Sequence, residues 1–210
     1  MTDFTGILLA AILLTDISMA GSSRLLHCIK IIAVQGLLIG LLPLAVWDWS
    51  SSAPHAQLYL TALTNIAVKF MILPSLLALV MRKANVRREL EPFVGYSASV
   101  TVIFAVIIAS FLACSHFHIS SGSISNLAIP TAFATICTGL FMIVSRRKAI
   151  TQVVGFLMFE NGIAVFGTGI MLEYGLLVEL GILLDVFVLV FIMGIAIFHI
   201  SREFSHIDAD

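Results

Sequence analysis

The chain has 210 residues, 60% of them apolar and 11% charged, with a mean hydropathy of +1.11. A soluble domain of this length carries about 25% charged residues and needs far fewer apolar ones to fill its core, so a soluble cytosolic enzyme and a disordered chain are excluded. Eleven basic and 12 acidic side chains leave a net charge of −1, without the basic footprint of a nucleic-acid binder.

A membrane-crossing helix needs about 20 apolar residues at a rise of about 1.5 Å each. Seven continuous runs meet or approach that length. In the first, Phe4–Ala20, the preceding residues hold Asp3 and no positive charge, which predicts a retained helix and not a signal peptide. Leu25–Trp47 holds Lys30, Gly36 and Gly40 at GxxxG spacing, and Pro43. Leu58–Met81 holds Lys69, eleven residues from one end and twelve from the other. There Thr61, Asn65 and Lys69 recur at i, i+4 and i+8, which predicts one polar stripe, and Pro74 frees a backbone carbonyl one turn back.

Val94–Cys114 is followed by a Ser-, Gly- and His-rich segment over 115–126. Leu127–Val144 contains Pro130, which like Pro43 is expected to kink its helix. Ala149–Ile170 holds Glu160 and Asn161 with Gly155 and Gly162 on either side, and Leu176–Ile200 holds Glu179, Gly181 and Asp185. The runs are continuous and not alternating, so a transmembrane barrel is disfavoured. The expected fold is an all-α integral membrane protein of seven transmembrane helices, with a four-helix unit over 1–120 and a three-helix unit over 121–210.

Positive charge sets the orientation. Arg24, then Arg82, Lys83, Arg87 and Arg88, then Arg146, Arg147 and Lys148, and finally Arg202 fall at alternate connections. The connections near 48–57, 115–126 and 171–175 hold no Lys or Arg. The positive-inside rule makes the first set cytoplasmic, with the N-terminus out and the C-terminus in. Trp47, Trp49, Tyr59 and Tyr174 fall at outer helix ends and Tyr96 at an inner one, as aromatic belts require.

Lys30 lies about 9 Å past Arg24, within snorkelling reach of the surface. Lys69, Glu160 and Asp185 do not. An ionisable group at the bilayer centre costs roughly 2.5–3.5 kcal/mol on insertion scales, so these three must face the bundle interior, a partner or water. One reading is a buried ion pair that locks helices. Buried pairs are poor stabilisers beside apolar packing, which favours the other reading, a chain of groups that exchange protons. Asn65, Asn161, Pro74 and Gly181 are its supporting residues. Glu179 marks either the mouth of a proton path or an interfacial acid. Asp16 is expected to pair with Arg24 or Lys30 near the inner surface.

The sequence offers no phosphate loop, nucleophile elbow or cysteine metal set. Cys28, Cys114 and Cys137 read as small buried apolar residues. His116 and His118 do not complete a metal site, and His27, His55, His199 and His206 read as interfacial.

The pattern Gly155-x-x-x-x-Glu160-Asn161-Gly162, then Val178-Glu179-x-Gly181-Ile182-x-x-Asp185, resembles the hydrogenase-4 component E family. Lys69 followed by Pro74 and the seven-helix length extend the resemblance over essentially the whole chain. Helices 5–7 are more distantly similar to the K-type subunit of complex I and the C-type subunit of Mrp antiporters. Arg146 and Arg147 match an Arg-Arg pair that opens the middle helix there, Asp185 stands where that family has Glu, and Glu160 falls about one turn late.

The resemblance implies a non-catalytic membrane subunit of an energy-converting hydrogenase or formate hydrogenlyase-type assembly in a prokaryotic cytoplasmic (inner) membrane. It also implies no cofactor in this chain, NiFe and Fe–S centres in partner subunits, and antiporter-like, anchor and peripheral hydrogenase subunits as partners beside the lipid bilayer. The alternatives are a stand-alone secondary transporter and a purely structural membrane scaffold.

Overall fold

The computed structural model describes residues 2–47, 56–83, 93–115 and 127–170, with Gly181 and Gly194. Among these residues the chain is helical without strands. The elements are α1 (Thr2–Ala20), α2 (Leu25–Val46), a rod of α3 (Ala56–Asn65), a π-helical segment (Ile66–Ile72) and α4 (Leu73–Lys83), then α5 (Tyr96–Cys114), α6 (Ala128–Ser145) and α7 (Ala149–Ile170). Five of the described helices are long and apolar enough to cross a membrane, counting the rod as one, and Phe4–Ala20 is a shorter apolar helix. This is the architecture of a multi-pass membrane protein. The expected seventh run, with Glu179 and Asp185, lies outside the described residues.

The helices follow the apolar runs because a hydrocarbon environment leaves each backbone amide only its own helix for a partner. Small residues set how close they come. A Cβ on Gly139 would meet Gly155 O at 2.8 Å, and one on Gly162 would meet Ile136 N at 2.6 Å. So α6 and α7 approach backbone to backbone, and Gly155 and Gly162 serve this packing. Gly36 and Gly40 of α2 do the same against the π segment, at Lys69 and Ile66.

Three expectations change. The third run is not one continuous α-helix. Its middle winds as a π-helix, and Leu73 N–H donates to Val68 O, five residues back. In an α-helix the Pro74 ring clashes with the carbonyl four residues earlier; the wider π turn ahead of it removes that conflict. Pro130 sits in the first turn of α6, where its missing N–H costs no intrahelical bond. Cys137 is exposed on the outer face of α6, whereas Cys28 is buried.

The core has two apolar layers. One joins Met19, Leu25, Ile32, Leu77, Met142, Val154 and Met158. The other joins Leu9, Ile12, Ile39, Leu42, Ala132 and Val165. The first layer gathers the ends of α1, α2, α4, α6 and α7 that adjoin Arg24, Arg82 and Arg146. Arg24, Arg82 and Arg146 therefore share one end of the bundle. Arg146 is not a solvated loop residue, however: it is 1% exposed, its Nη2 donates to Ala20 O at 3.2 Å, and it stacks on Tyr96 at 4.8 Å.

Candidate functional site

Between the two apolar layers lies a polar one. On α1, Asp16 falls between Ile12 and Met19; on α2, Gln35 falls between Ile32 and Ile39. On α6, Thr135 falls between Ala132 and Met142; on α7, Glu160 and Asn161 fall between Met158 and Val165. Lys69 adjoins the same stratum from the rod, as the twelfth of the 25 residues Leu58–Arg82. Glu160 is likewise the twelfth of the 22 residues of α7. The polar groups thus share one depth, near the middle of α2, the rod, α6 and α7 and in the C-terminal third of α1.

Lys69 and Glu160 form a buried ion pair, with Nζ donating to Oε1 at 2.7 Å and exposures of 4% and 2%. The carboxylate that meets Lys69 in the structure is therefore Glu160. Both pieces of local geometry seat the lysine: the π segment carries it, and Gly36 admits its backbone. A Cβ on Gly36 would lie 2.8 Å from the Lys69 carbonyl carbon and oxygen.

The ammonium also donates to Asn161 Oδ1 at 3.4 Å. Asn161 Nδ2 donates to Gln35 Oε1 at 3.0 Å, and Gln35 Nε2 donates to Asp16 Oδ1 at 2.8 Å and to Thr15 Oγ1 at 3.0 Å. Thr135 Oγ1 stands 2.8 Å from Asp16 Oδ2 and 3.0 Å from Thr131 O. Five segments of the chain (α1, α2, the π segment, α6 and α7) thus meet in one connected network.

Asn161 joins the network through Lys69 and Gln35, and Pro74 stands in α4 just after the π segment. Asn65 is half-buried and stays outside the network, because the π winding after it turns Lys69 off the stripe that α-helical spacing predicts. Asp16 does not pair with Arg24 or Lys30, whose side chains are exposed; it points inward to Gln35 and Thr135. Gln35 and Thr135 were not singled out by the sequence reading. Their one signal is polarity inside apolar runs, with Thr131, Thr135 and Thr138 repeating at helical spacing. Glu179 and Asp185 lie outside the described residues, and so does the side chain of Lys83. No group of three or more His, Cys, Asp or Glu able to hold a metal occurs among the described residues.

Chemically, the site holds one cation and two carboxylates away from solvent. In a low dielectric an ion pair and its neutral, proton-transferred form lie closer in energy than in water. Lys69 and Glu160 meet at 2.7 Å in such surroundings.

No family model matches the chain. An uncharacterized protein of Mycobacterium tuberculosis, Rv0085, is 29% identical over 185 residues, which span 87% of this chain and 82% of that protein. No solved structure matches.

Proposed function

We propose that the chain is a non-catalytic membrane-arm subunit of a respiratory hydrogenase, formate hydrogenlyase or complex-I-like assembly. In this reading Lys69, Glu160 and Asp185 pass protons, or Na⁺, at mid-membrane. Redox chemistry at NiFe and Fe–S centres in partner subunits drives the transfer, and antiporter-like and anchor subunits continue the path. The membrane is the prokaryotic cytoplasmic one, crossed seven times with the N-terminus outside. Glu179 and Gly181 stand beside Asp185 in the resemblance and belong to the same proposal.

The observation that carries this is the buried Lys69–Glu160 pair within a polar layer flanked on both sides by apolar ones. A scaffold gains little from such a pair, since apolar residues of similar volume pack as well or better. A stand-alone transporter needs polar access from a midplane site to both surfaces. Among the described residues the network runs across the helices at one depth, which suits lateral exchange with neighbouring chains.

The test is Glu160→Gln and Asp185→Asn in the intact assembly. Each should abolish redox-driven proton translocation in sealed membrane vesicles while leaving assembly and electron transfer to artificial acceptors in place. Translocation at the wild-type rate in both variants, with normal assembly, contradicts the proposal.

A further inference from the structure

We infer that Asp16 is a second proton-binding carboxylate, and that its occupancy is set against that of Glu160 through the amides of Asn161 and Gln35. The inference rests on the reading that Glu160 exchanges a proton.

Charge comes first. Lys69 and Glu160 compensate each other, which leaves Asp16 without a counter-ion among the described residues. It is 0% exposed, and its partners are Gln35 and Thr135, both neutral. Among the described residues, the other titratable groups on elements packed against α1 are His27, Cys28 and Lys30 of α2, Tyr96 and Cys114 of α5 and Cys137 of α6, with Arg146 at the α1 terminus. None of them is a hydrogen-bond partner of Asp16. An isolated buried carboxylate is costly, and a bound proton removes the cost.

The hydroxyl count points the same way. Thr135 Oγ1 has one hydrogen, yet it lies within hydrogen-bond distance of two oxygens, Asp16 Oδ2 at 2.8 Å and Thr131 O at 3.0 Å. With Asp16 ionised, the hydroxyl serves the carboxylate and releases the carbonyl. When Asp16 takes a proton from hydronium, an O–H bond of hydronium breaks, one forms at Oδ2 and water is released. Oδ2–H then donates to Thr135 Oγ1, and the Thr135 hydroxyl donates to Thr131 O. All three oxygens are satisfied without a change of position.

The amides supply the link. An ammonium can only donate, so Asn161 must turn its oxygen to Lys69 and its NH₂ to Gln35. Gln35 must then turn its oxygen to Asn161 and its NH₂ to Asp16. Every dipole between Lys69 and Asp16 points the same way, so the lysine charge is projected onto Asp16. Amides hold their protons, so the chain conveys field and not hydrogen ions. A proton on Glu160 leaves the Lys69 charge uncompensated, which favours loss of the proton at Asp16. The two acids should therefore fill alternately.

Infrared difference spectra of the lipid-reconstituted assembly, taken across a pH step in H₂O and D₂O, test this. A protonated-carboxyl C=O band that shifts in D₂O should vanish in Asp16→Asn. It should move in frequency in Thr135→Val and stay in place in Thr135→Ser, so assignment does not depend on Asp16→Asn folding. At the pH of half-protonation, Glu160→Gln should remove more than half of the band, and Asn161→Leu should abolish that dependence. A band insensitive to both Asp16→Asn and Thr135→Val overturns the site; a band present but indifferent to Glu160→Gln overturns the coupling. Neither result bears on the translocation assay of Glu160→Gln, so failure of the functional proposal is read separately.

Discussion

Lys69 and Glu160 are each affordable in hydrocarbon only because the other is there. Removing one partner of a buried pair leaves an uncompensated charge and costs roughly 3–5 kcal/mol, while replacing both with apolar residues is often neutral. Lys69→Met alone should therefore lower stability by about that amount, and Lys69→Met combined with Glu160→Met should recover most of it. Denaturant unfolding of the purified chain in detergent measures both. Lys69 and Glu160 were legible in the sequence because a charge in an apolar run stands out at once. Gln35 and Thr135 were not, since neutral polar residues occur in membrane helices for many reasons and only tertiary contact selects these two. Asp16 was misassigned for a physical reason: basic residues eight and fourteen positions later suggested a surface pair, while the helix turns its carboxyl inward.

The π segment over Ile66–Ile72 is the feature that pattern reading could not supply. Its cause is shared between Pro74, which is visible in the sequence, and the close seat offered by Gly36 and Gly40, which becomes meaningful only when α2 lies against the rod. The GxxxG spacing announced close packing without naming the partner. Gly36→Ala would put a Cβ 2.8 Å from the Lys69 backbone, and overpacking of this kind costs roughly 1–3 kcal/mol. The same substitution at Gly95, the N-cap of α5, where a Cβ meets no described atom within 4 Å, should cost only the weaker cap of Ala, about 1 kcal/mol or less. Paired thermal unfolding of the two variants checks the contrast. Gly36→Ala should also weaken proton translocation, because the backbone it displaces carries Lys69.

Among the described residues, apolar run length gave the helix boundaries to within a few residues, and Arg24, Arg82 and Arg146 fall at one end of the bundle. Run length could not reveal that the polar groups share one depth between two apolar layers, since that depends on how far each helix is shifted along its neighbour. The orientation proposed from positive charge predicts that a reporter enzyme fused after Lys83 is active in the cytoplasm, and one fused after Ser115 outside it. Cell-based reporter activity at these two points tests the sign directly; the reverse pattern contradicts the N-out assignment.

The proposed function assigns the Lys69–Glu160 pair to proton transfer and not to holding helices. The double substitution Lys69→Met with Glu160→Met separates the two roles, because it keeps volume and removes both charges. In sealed vesicles bearing the intact assembly, dye-monitored acidification driven by the redox reaction should fall to the uncoupled background in this variant, with assembly unchanged. Acidification at the wild-type rate in a fully assembled double variant would show that the pair is structural.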